Sequence, residues 1–323
     1  LTVRRLGTVS PLVTEYQNLI AGWKLCGRLA SFDVVHAYNM ELHPVVGYLC
    51  DRVSVPSVGT LNSYHFFPSS VTNTSATGLE WLYERVALPT TGRLLRRYMH
   101  RIDAFVALSR AIERIYRANG FADARIEHIP NMIDPSFSVP DVTSDDDDTV
   151  RLLYVGTLTE NKGVRYLVEA IARLPNRYRL RVVGDGDRSD NLRQLAAQLN
   201  VAERITFSGW VPYERVGEAY ADADVFVHPG IWPEPLNRTV LEAMQAELPV
   251  VCTDIGGPPE VIADKELLCR PGDADALATA IERATTVDRD IGVTNRAYVE
   301  GTHAPDAVVP QSVDLYEDLC EDQ

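Results

Sequence analysis

Lysine is almost missing from this chain of 323 residues: Lys24, Lys162 and Lys265 are the only three, and arginine supplies the other positive charge. Cysteine is sparse too. The five (26, 50, 252, 269 and 320) show no Cys-x-x-Cys spacing and leave an odd number, so they read as core residues of a reducing cytosol. No run of eighteen apolar residues offers a membrane span. The opening LTVRRLGTVSPL holds no apolar stretch fit for a signal peptide, and it lacks an initiator Met. Excess positive charge is also lacking: 31 basic against 45 acidic side chains give −14. Residues 1–144 carry 14 Lys and Arg against 12 Asp and Glu, and the remainder carries 17 against 33. A field that negative argues against a nucleic-acid partner. Acidity with so little lysine resembles the proteins of halophilic, salt-accumulating cytoplasms.

What is present suits about two domains. Short apolar runs predict strands at 32–37, 56–61, 104–108 and 126–129. Between them the spacing predicts helices at 41–50, at 79–101 (one or two around Pro89) and at 109–119, capped by Ser109 and ended by Gly120. Residues 11–29 are also read as a possible helix. The run 135–149 changes character, with two prolines, serines and four consecutive aspartates, and reads as a linker. The acid run lacks the spacing and turn glycine of a calcium loop. The alternation then restarts, with strands at 152–155, 180–183, 205–208, 225–228, 249–253 and near Leu267. Helices are expected at 164–174, 190–199, 213–221, from about 237, at 274–285, near Ala297 and over 308–319. Strand and helix alternating in this way predict parallel sheets with crossover helices.

The chain is organised around residues 228–260, HPGIWPEPLNRTVLEAMQAELPVVCTDIGGPPE. Glu234 lies between Pro233 and Pro235, which keep it out of a helix, whereas Glu242 falls on the helical pattern of Val240, Leu241 and Met244. The N–H groups of residues 236–239 are then expected to point between the two acids, with Arg238 in the first turn. Such a helix start holds a phosphate, and a carboxylate one or two turns on accepts a ribose diol.

With its flanking Pro-Glu-Pro, Glu-Ala-Met, Pro-Val-Val and Gly-Gly-Pro-Pro-Glu-Val, this segment resembles the Glu-x7-Glu region of retaining family 4 (group 1) glycosyltransferases. The run from Tyr154 to Gly163 is similar to that family's Gly-Arg-Leu-x-x-x-Lys-Gly. Lys162 keeps the lysine and Thr157 stands where the family has arginine; Arg238 is available to replace that charge. A solvated loop lysine is the alternative for Lys162. Gly156, Gly184, Gly186 and the Gly209-Trp210-Val211 turn match family positions beside the donor, with Trp210 either stacking on a base or packing in the core. In the first half, residues 103–109 and 129–134 resemble the Ala-Asp…Ser and Pro-Asn-Gly-Val-Asp landmarks, with Met132 replacing glycine. The family's Thr-x-His becomes Thr60-Leu61-Asn62, leaving His65 as a substitute or as an exposed loop histidine.

Other motifs compete less well. Val182-Val-Gly-Asp-Gly-Asp187 begins like a dinucleotide fingerprint, but Ser189 stands where its third glycine belongs. Asp185 and Asp187 form an Asp-x-Asp triplet, a spacing that recurs at Asp222/Asp224 and Asp273/Asp275 by composition alone. His36 and His43 lack a convergent carboxylate or cysteine, so no metal site is expected. Residues 93–101, RLLRRYMHR, are a solvated helix face or a contact for anionic lipid or a lipid-diphosphate acceptor.

The resemblance implies an α/β protein of two Rossmann-like domains facing a cleft (GT-B type). A first domain over 1–140 is shortened, a donor domain covers 150–303, and a terminal helix over 304–323 returns to the first. It also implies sugar transfer from a UDP- or GDP-sugar to a glycan or lipid-linked acceptor. No cofactor is expected, and the location is cytoplasmic or at the inner membrane face. Glu234, Lys162, Arg238 and His65 are the expected catalytic residues; Gly156, Thr157, Gly184, Gly186, Gly209, Trp210, Val211, Pro235, Leu236, Asn237 and Glu242 join them around the donor. Family members begin with further strand–helix units, so a missing segment or an upstream start is expected. A donor-binding protein without catalysis, or a metal-dependent transferase using Asp185 and Asp187, are the alternatives.

Overall fold

The computed structural model describes residues 27–72, 78–140, 148–287 and 290–322, with residues 20, 22, 24 and 25 ahead of them. Most of the helix read over 11–29, and residues 141–147 of the linker, lie outside the described residues. The chain divides into two compact units, residues 1–129 with 310–323 and residues 130–309.

The first unit is built on four parallel strands in the order β1 (Val35–Ala37), β2 (Ser57–Leu61), β3 (Ala104–Ala107) and β4 (Ile126–His128). Helix α1 (His43–Val53) joins β1 to β2, and α4 (Arg110–Ala118) joins β3 to β4. Strands β2 and β3 are buried at every position; β3 is wholly apolar, and in β2 the Ser57 and Thr60 hydroxyls are satisfied by Asp103 and His36. Ser109 Oγ caps α4 by accepting from the Ile112 N–H at 3.3 Å. Between β2 and β3 the chain runs through α2 (Leu79–Leu82), a π-helix over Tyr83–Gly92 and α3 (Arg93–Met99). Pro89 does not divide this run. Proline lacks the N–H and clashes with the carbonyl four back; the wider π-turn accommodates both, so the helix continues.

The second unit is a six-stranded parallel sheet. Its strands are β5 (Val150–Val155), β6 (Tyr178–Val183), β7 (Ile205–Gly209), β8 (Val225–His228), β9 (Val250–Thr253) and β10 (Leu268–Cys269), in the order β10-β9-β8-β5-β6-β7. Its helices are α5 (Val164–Ile171), α6 (Ser189–Gln198), α7 (Tyr213–Ala221), α8 (Arg238–Gln245), α9 (Pro258–Val261), α10 (Ala274–Ala284) and α11 (Asp290–Thr302). Helix α5 stops three residues before the expected end, because Leu174 precedes Pro175 and proline disfavours helix in the residue before it. Residues 130–140, where the linker segment begins, are tied to this unit: the Ile133 N–H donates to the His303 carbonyl at 2.8 Å.

Helix α12 (Pro305–Glu321) carries the chain from the second unit into the first. Its Tyr316 hydroxyl lies 2.6 Å from His36 Nδ1, and Asp318 pairs with Arg125 at 3.2 Å. In the second sheet the chain builds outward from β5 to β7, then jumps back across β5 to β8. The loops after β5 and β8 therefore leave the sheet side by side in opposite senses, which makes a crevice at their carboxyl ends.

Candidate functional site

Two loops meet at that crevice, residues 156–163 after β5 and residues 229–237 after β8. They are stitched together by the backbone: the Ile231 N–H donates to the Asn161 carbonyl at 3.0 Å. Gly163, at φ +68°, is required there, since a Cβ would lie 1.9 Å from the Pro229 carbonyl oxygen. From the other side the Gly257 N–H donates to the Glu234 carbonyl at 2.7 Å. Gly256, at φ +75°, passes so close that a Cβ would lie 2.5 Å from the same oxygen. The turn read as Gly-Gly-Pro-Pro thus clamps the loop that carries Glu234.

Within this clamp Lys162 Nζ donates to Glu234 Oε1 at 2.6 Å, with both side chains largely buried. The ammonium also lies 5.8 Å from the centre of the Trp232 ring. On the other oxygen, Asn237 Nδ2 donates to Glu234 Oε2 at 3.0 Å, and His228 Nε2 lies 3.4 Å away. Asn237 is itself oriented by the helix it caps: its Oδ1 accepts from the Thr239 N–H at 2.8 Å and the Thr239 hydroxyl at 2.6 Å. Its amide therefore presents N–H bonds to Glu234 and, at 3.4 Å, to His228 Nδ1. With Nδ1 accepting, the imidazole carries its proton on Nε2, facing the carboxylate.

Burial pushes the His228 imidazole down to about 4, further than the adjacent Glu234 carboxylate lifts it. For Glu234, burial alone raises the carboxyl, but His228, Lys162 and Asn237 together outweigh it and hold it below its ordinary value. At neutral pH the cluster is thus a carboxylate held by one ammonium, a neutral ring and an amide. Lys162 is no solvated loop residue.

The expectation of open N–H groups over 236–239 is corrected at Thr239, whose N–H is taken by the cap. Pro235, Leu236 and Asn237 are buried, the Leu236 carbonyl accepts from Asn131 Nδ2 at 3.3 Å, and Arg238 opens α8 as an exposed residue. Glu242, one turn further on, is buried and accepts from the Tyr220 hydroxyl at 2.8 Å. Burial raises its carboxyl above the ordinary value, against the Tyr220 hydrogen bond and the Arg238 charge.

The glycine turns lie next to one another at the carboxyl ends of β5, β6 and β7. The Gly156 N–H donates to the Val183 carbonyl at 3.0 Å, and the Gly184 N–H to Gly209 at 2.8 Å. The Thr157 carbonyl accepts from the Tyr154 hydroxyl at 2.9 Å, and Gly186 lies against the Leu158 carbonyl. Trp210 is 74% exposed, so the core-packing reading of it fails. Val211 beside it is half-buried. Asp185 spends its carboxylate on its own turn, accepting from the Gly186 N–H and the Ser189 hydroxyl. Among the described residues no group of three or more His, Cys, Asp and Glu is placed to hold a metal ion.

His65 belongs to the first unit, half-buried with its ring edge-on to Phe66 and tilted against Tyr83. Asn62 donates to the Tyr38 carbonyl at 2.7 Å, and buried His43 has Nε2 3.1 Å from the Ala37 carbonyl. Sequence reasoning missed His228, Tyr220 and Asn131. The available signal for His228 was a histidine ending an apolar strand just before the acid-bearing loop.

A parallel α/β sheet with a charged cluster at its reversal point is the frame of a nucleotide-type ligand site. The family model for group 1 glycosyl transferases matches residues 139–290, and that for Glycosyltransferase Family 4 matches residues 3–137. Between them they take in most of the chain, and it belongs to the group 1, family 4 glycosyltransferases. It is similar to the lipopolysaccharide core biosynthesis glycosyltransferase LpsE of Rhizobium meliloti, 40% identical over 138 residues, 42% of this chain and 39% of that protein. It is also similar to a GDP-mannose-dependent phosphatidylinositol monomannoside mannosyltransferase of Mycolicibacterium smegmatis, 29% identical over 60% of this chain and 56% of that one. The chain spans only part of the curated relatives it matches, 39% and 56% of the length of these two. Among solved structures, sucrose-phosphate synthase of Thermosynechococcus elongatus shares the fold at TM-score 0.75 and 23% identity, over 94% of this chain and 78% of that one. Anabaena HepE, solved with UDP and glucose, does so at 0.75 and 19%, over 92% and 81%. The two parallel-sheet units are thus those of the GT-B glycosyltransferases.

Proposed function

We propose that this protein moves a sugar from a nucleotide-diphosphate donor, a UDP- or GDP-sugar, to an acceptor hydroxyl with retention at the anomeric carbon and without a metal. The acceptor belongs to a cell-surface polysaccharide, a glycolipid or a protein glycan, and the work is done in the cytoplasm of a salt-accumulating cell. One observation carries the reading: the buried Lys162–Glu234 pair stands at the reversal point of the sheet, beside the start of α8.

As the bond to the leaving diphosphate breaks, negative charge grows on the phosphate and positive charge on the sugar. Lys162, Arg238 and the backbone at the start of α8 meet the first, as preorganised electrostatic stabilisation. Glu234 orients the sugar hydroxyls, held in place by Asn237 and His228. Glu242 takes the ribose, and the turns at Gly156, Gly184 and Gly209 let the chain approach the donor closely. Trp210 offers its exposed ring to the base. His65 serves the acceptor side. Support comes from the family and from the names of relatives that use GDP-mannose or were solved with UDP-glucose.

The test is incubation with a panel of UDP- and GDP-sugars in EDTA, reading released nucleotide and the anomeric configuration of the product by NMR. Nucleotide release with retained configuration is expected. Inverted product, or turnover only after metal is restored, overturns the proposal; donor binding without turnover favours a binding protein instead.

A further inference from the structure

Among the described residues, one face of the helical run over residues 81–99 is left exposed. Exposed positions recur every fourth residue: Trp81, Arg85, Pro89, Arg93 and Arg97 in one row, Leu82, Val86, Thr90 and Leu94 in the next. Trp81, Leu82, Val86 and Leu94 are 50%, 48%, 58% and 52% exposed. The other side closes on the unit. Met99 is buried, Arg96 donates to the Asn119 carbonyl at 3.0 Å and lies over the Phe67 ring, and His100 stacks on Phe121.

Between residues 81 and 97 the only acid is Glu84, and it is turned away, accepting from the Ser69 N–H at 2.6 Å. From Trp81 to Arg97 the two outward rows therefore hold apolar and cationic side chains with Thr90, and no acid. Arg85 lies over the Trp81 ring at 4.8 Å. Among the described residues none of Arg85, Arg93 and Arg97 has an acidic partner, whereas Arg101, Arg117 and Arg125 of the same unit each have one. In a chain with 45 acidic side chains, three outward arginines with no acidic partner among the described residues call for an anion from outside. A free phosphate would satisfy the arginines but not the exposed Trp81, Leu82, Val86 and Leu94, which together make an apolar patch of the kind that marks an interaction surface. A bilayer with anionic headgroups answers both.

The geometry points to this face as a peripheral docking surface for an anionic lipid bilayer. The arginines sit among the headgroup phosphates, and Trp81, Leu82, Val86 and Leu94 enter the boundary below them. Beside this face, Arg93, Arg96, Arg97 and His100 line a groove of about 590 Å³ together with Glu84, whose carboxylate is engaged by the Ser69 N–H. The inference stands on this surface alone and does not depend on the transferase reading.

Co-sedimentation of the full chain with vesicles tests it. Pelleting is expected with phosphatidylcholine containing phosphatidylglycerol and not with phosphatidylcholine alone. Combined Arg85→Gln, Arg93→Gln and Arg97→Gln lowers partitioning about a hundredfold, at roughly 1 kcal/mol per arginine near the surface. The corresponding Lys triple retains most of it, and Trp81→Ala with Leu94→Ala weakens it further. Among the described residues none of the three arginines has an ion-pair partner, so the thermal transition should stay in place. Pelleting of the Gln triple equal to the parent, or no pelleting by folded parent protein, overturns the inference. So does displacement by inorganic phosphate beyond that by chloride at matched ionic strength, which assigns the face to a phosphate solute.

Discussion

The Glu234 carboxylate is held by three neighbours of different chemistry: the Lys162 ammonium, the Asn237 amide and the His228 imidazole. Removing one should show what the others contribute. Lys162→Ala leaves a buried carboxylate without its cation and should lower stability by about 3 kcal/mol. Adding Glu234→Ala should recover most of that loss, and thermal melts of the double-mutant cycle check it. Simple additivity of the two losses would contradict the coupling. The histidines set a pH window. Burial pushes both His228 and His43 down to about 4 from an ordinary 6.5. Between those values the unfolded chain binds the protons that the folded chain refuses, so stability is full above about 6.5 and falls as pH drops toward about 4. Each ring contributes about 3 kcal/mol of that fall. His228→Gln should make the acid-side slope of urea unfolding shallower, and an unchanged slope would contradict the assignment.

At the scale of elements, α8 depends on one residue that does two jobs. Asn237 caps the helix through Oδ1 and holds Glu234 through Nδ2. Asn237→Ser should keep the cap, whereas Asn237→Ala should cost about 1 kcal/mol more in thermal unfolding. Trp210, exposed on the turn after β7, makes the opposite forecast. Trp210→Ala should leave stability within about 0.5 kcal/mol and lower nucleotide affinity about tenfold. A large stability loss with unchanged affinity would put the ring in a structural role.

The elements were largely legible because apolar runs such as residues 225–228 and 250–253 are bounded by glycine and proline and fit no helical period. Boundaries moved where local chemistry intervened, as at Leu174 before Pro175. The π-turn around Pro89 was not legible, since proline in a helical pattern normally signals a break. Nor were the side-chain pairings. Lys162 and Glu234 are 72 positions apart, and only the jump of the chain from β7 back to β8 brings them together.

For the whole molecule, the two family models divide the chain near residue 138, close to where the second compact unit begins. The second unit carries the Lys162–Glu234 cluster, the glycine turns and Glu242. The charge is lopsided in the same sense, because all of the acid excess follows residue 144. On the proposed function, a donor diphosphate would approach a negative unit, and Lys162 and Arg238 would have a disproportionate share in holding it. The most direct measurement is calorimetric titration of the full chain with UDP and GDP, in EDTA and high salt, repeated for Lys162→Ala and Glu242→Ala. Binding of one nucleotide without metal, weakened by both substitutions, is predicted. A folded chain that binds neither nucleotide, or that binds one equally well with both residues replaced, would contradict the account.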